Sequence, residues 1–229
     1  MFAINHAAAA LAIKRKFPTV SLVWLLISVQ LVELGWVACN YLGIERTTTE
    51  STVRFVGDIH LAHMPWSHSV ATMLGVAVLA WLVLGKGLGK ARLGAAVGIG
   101  IASHLVLDLL THQHDLQLAP FVSEPRLGLG LYGAAPLVAF GFELGFGVWC
   151  WSYYRGSRAL LAVIVLFNLA NLPMFAAAIP GPERWLAHRP MLITTLIFAQ
   201  IVVTLVLVGL FARSPAASVE GARRGEVVA

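Results

Sequence analysis

The sequence predicts an all-α fold: a polytopic membrane bundle of about six transmembrane helices plus a short N-terminal helix. Three observations predict it. The chain is 59% hydrophobic and only 12% charged, whereas a soluble domain carries about 25% charged residues. Its mean hydropathy is +0.81. Its apolar residues fall in runs long enough to cross a hydrocarbon layer of about 30 Å, which takes about 20 helical residues. With 229 residues, this composition leaves too little polar surface to cover a water-soluble globule.

In chain order, residues 2–13 come first. They predict a helix of about 18 Å, too short to cross. It either lies on the membrane surface or tucks into the bundle as a half-helix. The basic cluster Lys14–Lys16 follows this apolar stretch, the reverse of a secretory signal. Six spans come next, over roughly 19–43, 67–85, 93–112, 133–154, 159–179 and 190–212. Pro18, Pro65, Pro180, Pro182 and Pro190 punctuate their edges. Residues 1–212 form one domain on this reading, and the polar tail 213–229 is expected to be disordered.

Net charge is +5, which in a soluble chain would suggest nucleic acid. Here the charges sit at the ends of apolar runs, so the lipid bilayer is the expected partner and nucleic acid is not. Eleven of the 16 Lys and Arg flank alternate loops on one side of the bundle. The other five, Arg46, Arg54, Arg126, Arg184 and Arg189, lie on the opposite side. The positive-inside rule then puts both termini in the cytoplasm. Cys39 and Cys150 lie in apolar runs and give neither a disulfide framework nor a cysteine zinc motif.

The third span carries the chemistry. In SHLVLDLLTHQHD, residues 103–115, His104, Asp108 and His112 recur every four residues. Such positions lie about 40° apart around a helix and share one stripe. Asp115 would rejoin that face if the helix continued, and His114 would point away. An intramembrane Asp costs roughly 2.5–3.5 kcal/mol to insert, and a metal or a proton shared with histidine would offset that. The second span opens with HMPWSHS, residues 63–69. Pro65 and Ser67 suit a helix start there, which puts His68 in the first turn and His63 just before it. The start of span 2 and the end of span 3 share one side, so His63, His68, His104, Asp108 and His112 can meet at one depth.

Other polar groups read less sharply. Glu33 in span 1 is either a helix-packing carboxyl or a further ligand or general base, and Glu143 in span 4 is similar. Asn168, Asn171 and Gln200 read as interhelical hydrogen-bond glue. The glycines of GAAVG, Gly94 to Gly98, read as a close helix contact, because no strand precedes them to make a phosphate loop. Arg126 reads as a membrane-edge charge or a phosphate ligand.

The pattern H-x4-H-S followed by S-H-x3-D-x2-T, carried by HMPWSHS and SHLVLDLLT, resembles the bacterial membrane-bound metal-dependent hydrolases of the LexA-regulated inner-membrane type. The resemblance covers mainly residues 1–130. It implies residence in the inner membrane and a metal site built from His63 or His68, His104 and Asp108. His6, in INHAAAA, and Glu33, in QLVELGW, are the possible completions. The family's paired acidic residues in the first apolar segment are reduced here to Glu33, which counts against a two-metal site.

Together these readings give a membrane-embedded hydrolase with a divalent metal. Zinc comes first given the histidines, with manganese or magnesium as the other choices. Glu33, Asp108 or Asp115 would be the general base, and the substrate a lipid-like phosphate or ester. The competing readings are a proton- or ion-coupled transporter and a structural subunit.

Overall fold

The computed structural model describes residues 1–179 and 181–212; the expected tail lies outside them. Among the described residues the helices are α1 Ala3–Lys16, α2 Leu22–Tyr41, α3 Val70–Ala80, α4 Ala91–Thr111, α5 Leu131–Ala134, α6 Pro136–Tyr154, α7 Arg158–Ala170 and α8 Pro190–Phe211. A π-helical segment, Trp81–Gly87, extends α3. Two short antiparallel hairpins join the helices: β1 Arg46–Thr49 with β2 Ile59–His63, and β3 Leu116–Ala119 with β4 Val122–Leu127. The prediction of an all-α membrane bundle holds, and the hairpins are additions confined to loops.

Among the described residues, four helices are long and apolar enough to cross a membrane: α2, α3 with its extension, α4 and α8. The other two expected crossings differ. α6 has 19 residues, but Glu143 and its glycines dilute its apolar character. The span expected over 159–179 is helical only to Ala170, which gives 13 residues and about 20 Å. The 3-10 turn Leu172–Met174 follows. Pro173 cannot donate to the ladder and clashes with the preceding turn, so the helix ends before it.

α1 settles inside the bundle rather than on its surface. It packs against α2, α4, α6, α7 and α8, and Ala3–Leu11 are all buried. Between helices in lipid the driving force is close van der Waals packing, which small residues permit. The run Ala7–Ala10 supplies that, and alanine also has the best helix propensity. On α6, Gly147 leaves room for α1: a Cβ there would stand 2.9 Å from Asn5 Oδ1. Gly94 does the same for α4 against the α3 extension, where a Cβ would meet the Gly85 nitrogen at 2.6 Å. GAAVG is thus the close helix contact it was expected to be.

Polar side chains pin α1 in place. Asn5 Nδ2 donates to Glu143 Oε2 at 2.6 Å and to Asn168 Oδ1 at 3.0 Å. The Phe2 N–H and the Tyr132 hydroxyl also donate to Glu143. Gln30 Nε2 donates to the Ala3 carbonyl at 2.6 Å. Glu143 is therefore a packing carboxyl that ties α1 and α5 to α6. Asn168 is interhelical glue as expected, and so are Asn171 and Gln200, joined at 3.0 Å between the end of α7 and α8.

Candidate metal centre

The hairpins lie at the end of the bundle where α2 and α4 finish and α3 and α6 begin. Trp66 and Phe121 meet edge-on across them, with ring centroids 5.5 Å apart. Beneath them, α1, α2, α4 and the loop before α3 converge on Asp108, which is fully buried.

α4 supplies His104 and Asp108 from successive turns, as their spacing requires. His104 Nε2 lies 3.0 Å from Asp108 Oδ2. His68 Nε2 is 3.6 Å from the same oxygen and 3.8 Å from Glu33 Oε1 on α2. The other Asp108 oxygen faces α1: the Met1 amino group donates to Oδ1 at 2.8 Å, and His6 Nε2 is 3.3 Å away. The His6 and His104 rings stack, with centroids 3.8 Å apart and planes 6° from parallel.

Among the described residues, two overlapping groups have ligand atoms close enough to share an ion: His6, His104 and Asp108, and Glu33, His68 and His104. Metal–ligand bonds of about 2.0–2.2 Å in a tetrahedral site put neighbouring ligand atoms roughly 3.3–3.6 Å apart. The four separations above that involve a histidine and a carboxylate run from 3.0 to 3.8 Å, which brackets that range. Moreover, both His6 nitrogens, His68 Nε2, His104 Nε2 and Asp108 Oδ2 are buried without a hydrogen-bond partner. Buried polar atoms are normally satisfied. Five orphaned atoms of ligand type in one place fit a cation.

Neighbouring groups fix which nitrogen each histidine presents. The Ser67 hydroxyl donates to Glu45 Oε2 at 2.6 Å. A hydroxyl has one proton to give, so Ser67 Oγ accepts the bond it shares with His68 Nδ1 at 2.8 Å. His68 Nδ1 therefore carries a proton, which leaves Nε2 as the nitrogen available to a metal. Glu45 is itself held by the Trp66 and Ser67 N–H groups, both at 2.8 Å. His104 is set the same way: its Nδ1 is 2.9 Å from the Val29 carbonyl, which can only accept. Ligating histidines are commonly oriented by such partners. His104 consequently has one free nitrogen, so the two overlapping groups cannot each take an ion through it.

The remaining expected residues divide. His112 caps the end of α4, with Nε2 3.7 Å from Asp108 Oδ1 and Nδ1 3.5 Å from Asp115 Oδ1. It stands at the rim of the cluster, with Asp115 behind it. His63 is not brought in: it is exposed on β2, opposite Arg46. The helix start also moves. Ser69, not Pro65 or Ser67, caps α3, its side chain accepting from the Thr72 N–H, so His68 precedes the helix instead of lying in its first turn. Arg126 sits on β4, 3.9 Å from Glu124. Met1 lies against Asp108 in the bundle interior, away from the basic end of α1 where the cytoplasmic terminus was expected.

Glu45 and the role of Ser67 are not legible in the sequence. Ser67 was visible beside His68, but a serine near a helix start reads first as a cap. Glu45 lies 22 residues before Ser67, and only the β1–β2 hairpin brings it back.

Residues 6–179 match the model of a family described as YdjM inner membrane protein. No curated protein and no solved structure matches the chain.

Proposed function

The chain belongs to the YdjM inner membrane protein family, and we propose that it is a membrane-embedded, metal-dependent hydrolase. The family and the four apolar helices make it an integral inner-membrane protein. The reading beyond that is carried by one observation: the buried, unpartnered Nε2 atoms of His68 and His104 beside Asp108 Oδ2. His68, His104 and Asp108 would hold one divalent ion, zinc by its fit to nitrogen and oxygen ligands, with manganese or magnesium as the alternatives. His6 stacks on His104 and completes the inner wall. When bound, such an ion polarises carbonyl or phosphoryl oxygens and lets water lose a proton near neutral pH.

The chain's own residues would do the rest. Asp115 and Glu33 both line the cavity beside the cluster, where a carboxylate can take a proton from water. His112 lies between Asp108 and Asp115 and would hold or pass that proton. The surrounding helices exclude bulk water. The loops at this end carry the fewer basic residues, so the site would face the extracytoplasmic side, with the end holding Lys14–Lys16 in the cytoplasm.

The test is hydrolysis by purified protein. Chelation is expected to abolish turnover of ester or phosphate substrates, and added zinc or manganese to restore it. A metal-loaded protein that turns over neither class would overturn the hydrolase reading.

A further inference from the structure

Next to the cluster lies a cavity of about 350 Å³. One part of its wall is polar: Glu33, His68, His112 and Asp115. The rest is largely aliphatic or aromatic, with Trp36 from α2, Met174 and Leu186 from the turns before α8, and Ile193, Ile197 and Ile201 from α8 itself. The volume is at the low end of the roughly 300–1,000 Å³ typical of ligand sites, room for one hydrocarbon chain.

Among the described residues, four side chains of this wall carry a buried polar atom without a partner: Trp36 Nε1, His68 Nε2, Asp115 Oδ1 and Glu183 Oε2. Trp36 Nε1 is a donor on a side chain that is 1% exposed, and Glu183 Oε2 is an acceptor on a residue that is 2% exposed. The other Glu183 oxygen accepts from the Gly181 N–H at 2.9 Å. The wall disfavours an anionic ligand. It contains three carboxylates, Glu33, Asp115 and Glu183, and among the described residues no Lys or Arg. The Met1 ammonium is already engaged by Asp108. Without a bound ion, a phosphate monoester would meet like charge with no basic side chain to pair it.

We propose that the substrate is a single-chain acyl ester or amide with an uncharged or cationic polar end, its chain against α8 and its acyl carbonyl at the cluster. The proposal rests on the hydrolytic reading above and names the substrate of that site. Water would add its oxygen to the acyl carbon as the C–O or C–N bond breaks. One water proton goes to the departing oxygen or nitrogen, and the acid formed gives up the other. The carboxylate product is then repelled by Glu183 and Asp115, which favours its release.

Binding tests this without requiring turnover. The protein is placed in nanodiscs of an ether-linked lipid, with and without zinc, and titrated with N-dodecanoyl ethanolamine and with dodecyl phosphate. The amide is expected to bind about tenfold or more tightly than the phosphate in the zinc-free state. Ile197→Trp, which fills the cavity, should weaken amide binding, and Glu183→Gln should narrow the gap between the two ligands. Equal or tighter phosphate binding in that state, or amide binding indifferent to both substitutions, overturns the proposal. A protein that binds the amide but takes up no metal defeats the hydrolase reading alone. One that loads metal but prefers the phosphate when zinc-free defeats only the acyl assignment.

Discussion

His68 and His104 each present Nε2 because something else holds Nδ1: Ser67 backed by Glu45 in one case, the Val29 carbonyl in the other. Removing the Ser67 hydroxyl frees His68 to rotate or change tautomer. Ser67→Ala should therefore weaken metal affinity about 10–100-fold, the usual effect of losing such a partner, with little change in helix content. Competition against a chromophoric chelator would measure it, and Ser67→Thr should restore most of the loss. Acid should act through the ligands themselves. Imidazole must be unprotonated to bind metal, so affinity should fall as the pH is lowered. An affinity flat from pH 7.5 to 5 would mean that histidine nitrogens are not the ligands.

The stripe His104–Asp108–His112 was legible because helical periodicity is the strongest local signal in a sequence, and α4 carries it as read. The six apolar runs were likewise visible, and each contains a helix. What periodicity could not supply was depth and partner. Residues 2–13 gave no sign of whether their helix was surface or core, because a run of alanines is apolar on every face. The structure buries Ala7, Ala8 and Ala10 completely. Ala8→Leu should accordingly overpack the interior of the bundle and cost about 1–3 kcal/mol, read as a lower unfolding midpoint in detergent. The hairpins stayed hidden for another reason. Strands of four to six residues are too short to establish an alternating pattern, and the pairing of β1 with β2 brings Glu45, just before β1, back to Ser67. The early end of α7 was foreshadowed by Pro173, one of many loop prolines.

At the scale of the whole molecule, one end of the bundle carries the hairpins and the cluster, and the other carries Lys14–Lys16, Lys86, Lys90 and Arg92. That polarity predicts an extracytoplasmic site. In a Cys39→Ser background, His63→Cys on exposed β2 should react with a membrane-impermeant maleimide added to intact cells whose outer envelope has been permeabilised. Labelling only after the inner membrane is breached would invert the topology. α1, by contrast, runs from the cluster towards the basic end, so the bundle is organised around a helix that does not cross. Its His6 stacks on His104 and its Asn5 binds Glu143 and Asn168, which makes α1 both the core of the packing and a wall of the site. Metal content is the most direct measurement of all this, made on the purified wild type beside His104→Ala and Asp108→Ala. About one zinc or manganese per chain, lost in both variants while each remains folded, is the predicted result. A wild type that takes up no divalent ion after exposure to several, or variants that retain it in full, would contradict the account.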